Sequence, residues 1–355
     1  MQKLRVIPAP ARIAAARIAA AAALLVTGAN PFGWTTAAAQ VATPTAVPSP
    51  PQTWEVQVGA TAGSLVSVNA YGPDPVIIRA GDTVSWKWVP APAPHTVTFW
   101  AGKPALAGFL PGPGIGDLTL GPANYPVGAA GPNIRYDGAS QLSSGIPFGP
   151  PDQMAFNVTF TQTGLFAYVC TIHPGMRGSV EVREAGAPLL ESPAQAKARG
   201  QVTLGALGGS VKAQAETVKG TSVGPLHTVS AGVEDGFGAS AVAFLPGNVR
   251  VARGDWVVWT VADPMEIHTV TFVSGDAPPD LFTPLPQSAN TPGLVIKGNV
   301  AQPSGGFAYS GTGLLNSGIL FPGGSAAFRM DAPPGTYSYL CLLHPDMKGT
   351  ITVTG

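Results

Sequence analysis

The sequence predicts an all-β protein made of two similar β-sandwich domains in tandem, joined by a partly helical linker. Three observations carry that reading. The chain repeats itself once, at an offset near half its length. Apolar residues alternate with polar ones at a period of two in several short runs. Gly and Pro supply 45 and 37 of the 355 residues, with no long helical stripe in either repeat. Many short strands with Gly/Pro turns are the signature of a sandwich.

The N-terminus reads as an export signal. Lys3, Arg5, Arg12 and Arg17 form a basic region, Ile18 to Val26 an apolar one, and Ala37-x-Ala39 offers small residues for cleavage before Gln40. The apolar run is too short to span a bilayer comfortably. Loss of residues 1–39 takes away four basic residues and no acidic one, leaving a net charge of −4. The expected location is outside the cytoplasm (periplasmic, cell-surface or extracellular), with no stable membrane insertion after cleavage. Residues 40–52 are rich in Pro and small residues and read as a flexible leader.

The two copies follow at 53–184 and 222–355. Gly81-Asp82-Thr83-Val84-Ser85-Trp86 matches Gly254-Asp255-Trp256-Val257-Val258-Trp259, and HTVTF occurs at His95–Phe99 and again at His268–Phe272, all at an offset of 173. Tyr136-Asp137-Gly138 matches Tyr309-Ser310-Gly311 at the same offset. YVCTIHPGM, from Tyr168, matches YLCLLHPDM, from Tyr339, at an offset of 171. Within copy one, Val84, Trp86 and Trp88 share one strand face, as do Phe156, Val158 and Phe160. Phe166, Tyr168 and Cys170 share another, which points the cysteine inward at a strand end. Val180 and Val182 mark the closing strand. In the linker, 185–221, Ser192-Pro193 is a helix start, and Gly200, Gly205, Gly208 and Gly209 weaken a continuous helix.

Composition narrows the function. Charged residues are 11% of the chain and the formal net charge is zero, which removes the electrostatic footprint of a nucleic-acid binder. Two cysteines exclude a disulfide-dense scaffold and any four-cysteine zinc or iron–sulfur site within one chain. The rare residues fall into two sets: His95, Cys170, His173 and Met176, then His268, Cys341, His344 and Met347. Two imidazoles, a thiolate and a weak axial thioether form the donor set of an electron-transfer copper site. Three donors come from one short C-x-x-H-x-x-M loop, and the distant His ties that loop to another strand end. A Cys170–Cys341 disulfide leaves the His/Met pattern unexplained, and Met is a poor zinc ligand. Met154, Met265 and Met330 lack the pattern and are assigned to packing or surface. His227 reads as an ordinary strand residue.

At these residues the chain resembles the cupredoxins, the plastocyanin/azurin family, and the short C-x-x-H-x-x-M loop is most similar to that of amicyanin. The resemblance covers 53–184 and 222–355. It implies Greek-key β-sandwiches, one type 1 copper per domain, and single-electron transfer between redox partner proteins. His95, Cys170 and His173 would be the strong ligands of site one with Met176 axial. His268, Cys341 and His344 would serve site two with Met347 axial. Many family members carry Asn directly after the first His, where it braces the copper loops; this chain has Thr96 and Thr269, which puts the bracing in doubt. Long Gly/Pro-rich inserts, near 101–134 and 274–306, are candidate functional surfaces or covers.

The expected role is a redox carrier and not an enzyme. A two-domain copper oxidase or nitrite reductase needs a further His-rich centre, and only His227 is left over. A copper storage or delivery protein would favour exposed, easily exchanged clusters, and none is evident outside the two sets.

Overall fold

The computed structural model describes residues 50–129, 131–147, 154–274, 277–284 and 293–355. The export signal and most of the leader lie outside the described residues. The first half holds strands β1 (Thr53–Ala60), β2 (Val66–Gly72), β3 (Val76–Arg79), β4 (Thr83–Trp88), β5 (Thr98–Phe99), β6 (Phe109–Pro111), β7 (Leu118–Leu120), β8 (Pro126–Val127), β9 (Ile134–Tyr136), β10 (Leu142–Ser144), β11 (Ala155–Phe160), β12 (Gly164–Val169) and β13 (Arg177–Arg183). Helix α1 (Pro193–Thr217) follows. The second half holds β14 (Ser222–Val223), β15 (Leu226–Glu234), β16 (Ala239–Leu245), β17 (Asn248–Ala252), β18 (Trp256–Thr260), β19 (Thr271–Phe272), β20 (Thr283–Pro284), β21 (Leu294–Ile296), α2 (Gly298–Ala301), β22 (Ala308–Tyr309), β23 (Leu315–Asn316), β24 (Ser325–Met330), β25 (Gly335–Leu340) and β26 (Lys348–Thr354).

The strand order of one half recurs in the other. In the first, β2-β1-β4-β11-β9 packs against β3-β13-β12-β5-β10-β8; in the second, β16-β15-β18-β24-β22 packs against β17-β26-β25-β19-β23. Alternation explains the packing. Val84, Trp86, Val158 and Phe160 turn inward from one sheet and meet Phe99, Tyr168, Val180 and Val182 from the other. Val257, Trp259 and Phe328 meet Phe272, Tyr339 and Ile351 in the second core.

The halves are not beads on a tether. Each would expose a sheet edge at β2 and β16, and such edges invite unwanted pairing. Here they pair with each other, antiparallel, with Val68 opposite Ala239 and Val66 opposite Ala241, which fuses the two sheets into one of eleven strands.

The linker helix departs from expectation: α1 runs unbroken for 25 residues. Ser192 caps it in a capping box with Gln195, and Pro193 occupies the first turn. The glycines do not break it because two of them are contact points. A Cβ at Gly200 would lie 2.4 Å from the Gly72 carbonyl carbon, and one at Gly208 would lie 3.0 Å from the Ala62 Cβ. Close approach lets Leu204 and Val211 bury against Val66 and Val68 of one half and Ala239 and Ala241 of the other. Tertiary burial outweighs the propensity cost. Among the described residues no helix is long and apolar enough to cross a membrane.

The two inserts pair with each other. Strands β6 and β7 of the first and β20 and β21 of the second make one small sheet, with Val295 opposite Thr119 and Ile296 opposite Leu118. Asp117 fastens the join: its carboxylate accepts the Gly298 N–H at 2.8 Å and faces the Lys297 ammonium at 3.3 Å.

Candidate metal centres

Each remote histidine sits three residues before a short strand, His95 before β5 and His268 before β19. Trp88 Nε1 donates to the His95 carbonyl at 2.9 Å, and the Val97 N–H donates to Ser144 Oγ at 2.9 Å, which fixes the backbone on both sides of Thr96. In the second copy the Val270 N–H donates to Ser317 Oγ at 2.8 Å. The other donors come from the loop leaving β12 or β25. There the Cys170 N–H donates to the Met176 carbonyl and the Met176 N–H to the His173 carbonyl, at 3.0 and 3.1 Å. Cys341, Met347 and His344 repeat the pattern at 3.0 and 2.9 Å. The loop thus closes on itself and returns its methionine beside its cysteine.

The structure brings His95, Cys170 and His173 into one buried group and His268, Cys341 and His344 into another, the candidate donor atoms of each lying within 4.8 Å of one another. Nδ1 of His95 and Nδ1 of His173 are 3.1 Å apart, and Cys170 Sγ is 3.5 Å from His173 Nδ1. In the second group Cys341 Sγ lies 3.6 Å from His344 Nδ1 and 3.9 Å from His268 Nδ1. Met176 and Met347 are buried in the same cores. His227 is elsewhere, on β15, between Ser222 Oγ at 2.8 Å and Asp255 Oδ2 at 2.9 Å. Met265 is a packing residue, although it packs into the first half's core from the second half.

Thr96 and Thr269 do the bracing that their position left in doubt. The Thr96 N–H donates to Cys170 Sγ at 3.3 Å, while its hydroxyl accepts the Thr171 N–H at 2.8 Å. The Thr269 N–H donates to Cys341 Sγ at 3.3 Å, and its hydroxyl accepts the Leu342 N–H at 2.8 Å. One short side chain therefore clamps the remote strand to the ligand loop in each copy.

Sequence reasoning missed two further features. Gly59 and Gly232, also 173 residues apart, stand at register shifts in β1 and β15 with φ of 69° and 79°. A Cβ there would come within 2.6 Å of Nε2 of His95 and of His268 respectively. A glycine recurring inside a strand was the available signal. The second is Glu266, buried between the halves within 3.3 Å of His173 Nε2 and 3.4 Å of His344 Nε2. It faces an apolar cavity of about 340 Å³ that both loops and both inserts help to line.

The electrostatics favour an anionic sulfur. Burial opposes ionisation of Cys170, but the His173 and His95 rings beside it outweigh burial and hold the thiol well below its ordinary value. Burial likewise opposes ionisation of Cys341, and His344 and His268 overcome it. Burial acts to lower His173, yet the charges of Glu266 and Cys170 push it up to about 10. His344 is pushed up to about 10 against burial by Cys341 and Glu266. Burial lowers His95. A metal ion taken up at Nδ1 and Sγ would displace protons from such pairs.

The donor set fits copper. Each group offers two imidazole nitrogens and one sulfur within 4.8 Å of one another, all buried, with no carboxylate among the converging atoms. Soft sulfur with imidazole suits copper in both oxidation states. Nothing in either group matches the oxygen-rich cage of a hard cation.

No protein-family model matches the chain. No curated protein matches it either. Among solved structures it is similar to variants of amicyanin. One is the oxidized form of a methionine-to-leucine mutant, at 23% identity, covering 37% of this chain and 81% of that one with a TM-score of 0.22. Others are the reduced forms of a proline-to-phenylalanine mutant (24%, 37% and 82%, 0.22) and of a tryptophan-to-tyrosine mutant (16%, 39% and 89%, 0.23).

Proposed function

We propose that the chain is an exported blue-copper protein that carries single electrons between redox partners, with one type 1 copper in each of two cupredoxin domains, 53–184 and 222–355. The observation that carries this reading is the duplicate buried His–Cys–His group in which Nδ1, Nδ1 and Sγ converge. In this reading His95, Cys170 and His173 hold the first copper and His268, Cys341 and His344 the second. Met176 and Met347 would supply the weak thioether donors. Bound copper would supply one-electron chemistry at each site. The chain's own part is to keep the cage rigid. Thr96 and Thr269 pin the sulfurs, Gly59 and Gly232 leave room for the remote rings, and the apolar cores exclude water.

A carrier needs no open metal position, and in this reading four of the five histidines and both cysteines are used within the cages. The copper-loaded protein is expected to exchange electrons with small redox mediators while consuming neither oxygen nor nitrite under excess reductant. Catalytic consumption of either would replace the carrier with a copper enzyme.

A further inference from the structure

The repeat breaks at one position beside the sites. Glu266 stands two residues before His268, and the matching position in the first copy is Ala93. Its carboxylate is buried where the halves meet. Nε2 of His173 and Nε2 of His344 approach the same oxygen, Oε2, at 3.3 and 3.4 Å. The other oxygen, Oε1, accepts from Asn69 Nδ2 at 2.9 Å. Asn69 is held in that orientation by Ser67, whose hydroxyl donates to Asn69 Oδ1 at 2.7 Å, and Asn69 Nδ2 also reaches Ser240 Oγ at 3.2 Å. A buried carboxylate is costly unless paired and hydrogen-bonded, and here both oxygens are engaged, Oε2 by the two histidines and Oε1 by Asn69.

We propose that Glu266 couples the two metal sites into one redox unit, as a single carboxylate shared by one ligand imidazole of each site. The inference rests on the function proposed above. With Nδ1 of both rings turned to the metal position, Nε2 carries the proton in both. Glu266 then accepts both N–H groups and fixes both tautomers, as an outer carboxylate does for a single ligand histidine. One buried negative charge acts on two sites at once, in surroundings where screening is weak. Glu266 bridges the two rings, hydrogen-bonded to His173 Nε2 at 3.3 Å and in ion-pair range of His344 Nε2 at 3.4 Å, and along this connection the sites exchange an electron inside the chain. The exchange balances by itself: one site is oxidised as the other is reduced, and both Nε2 protons stay in place.

Glu266→Gln separates this role from simple packing. A glutamine that turns its oxygen to the two rings sets its NH2 against the Asn69 NH2, and the reverse setting opposes two N–H donors. Site one is read alone in a Cys341→Ser background and site two alone in Cys170→Ser. Loss of the shared charge should raise the potential at both sites, by about 59 mV for each tenfold change in the one-electron equilibrium. In the two-copper protein, partial photoreduction should show a first-order redistribution between sites, independent of protein concentration, that Glu266→Gln abolishes. Glu266→Asp keeps the charge but withdraws the oxygen by one methylene; it should keep both coppers and lose the redistribution phase. A shift confined to site two, which is the neighbour in sequence, would overturn the proposal. So would an unchanged redistribution rate, or a third copper lost with Glu266. Failure of the wild type to bind two coppers would instead sink the functional reading, and shows before Glu266 is altered.

Discussion

The backbone N–H of Thr96 donates to the Cys170 sulfur at 3.3 Å, joining the segments that carry His95 and Cys170 across 74 residues of sequence. The same threonine's hydroxyl holds the Thr171 N–H. Thr96→Val preserves shape and the bond to sulfur but strands that N–H. The expected cost is about 1–3 kcal/mol in denaturant unfolding, with weaker copper retention at site one and none of it at site two. Equal retention at both sites in competition with a chelator would show that the clamp is idle.

Gly59→Ala should empty site one. The new methyl would sit within 2.6 Å of His95 Nε2, on a backbone with φ of 69°. Gly81→Ala is the control, since φ is 98° there but nothing lies within 4 Å of the added carbon. Both substitutions should lower stability by about 1–3 kcal/mol from backbone strain. Only the first should cost copper. Copper loss in Gly81→Ala as well would mean that strain, not the ring contact, governs the site.

Two glycines of α1 should respond with opposite signs. Gly205 has open space around it, so Gly205→Ala should stabilise the chain by about 0.8–1 kcal/mol. Gly200→Ala drives a methyl into the Gly72 backbone and should destabilise it despite the better helix former. Midpoints in urea decide the matter. Stabilisation by both would show that α1 does not press on the sheet.

The joined inserts should loosen in acid. The Gly298 N–H and then Lys297 hold the Asp117 carboxyl below its ordinary value, against the opposing effect of burial. Because the folded value is depressed, the contribution is complete above the unfolded value, about 4, and is lost as pH falls through the folded one. Amides of β7 and β21 should therefore exchange faster with solvent below about pH 4 than above it, after correction for intrinsic rates. Asp117→Asn should remove that dependence. A wild type whose protection of these strands ignores pH would contradict the assignment.

Recurrence made the site legible. His95, Cys170, His173 and Met176 stand out in the sequence because a second set repeats them in order, and strand alternation around Trp86, Phe156 and Val180 placed the core. Glu266 escaped notice because Ala93 faces it in the repeat, so nothing recurs, and its partners are 93 and 78 residues away. The insert sheet was hidden because its strands are only two or three residues long, and two of the four end in Pro. The glycines of α1 misled for a different reason. Propensity counts their entropy, whereas Gly200 and Gly208 are where the helix touches the sheet.

The reading of two separate copper cages is tested most directly by copper content and visible absorption of the wild type beside Cys170→Ser and Cys341→Ser. Two coppers per chain with an intense thiolate-to-copper band are expected in the wild type. Each variant should hold one type 1 copper, with the band of the other site gone and its own retained. One copper in the wild type, or loss of both bands from a single substitution, would contradict it.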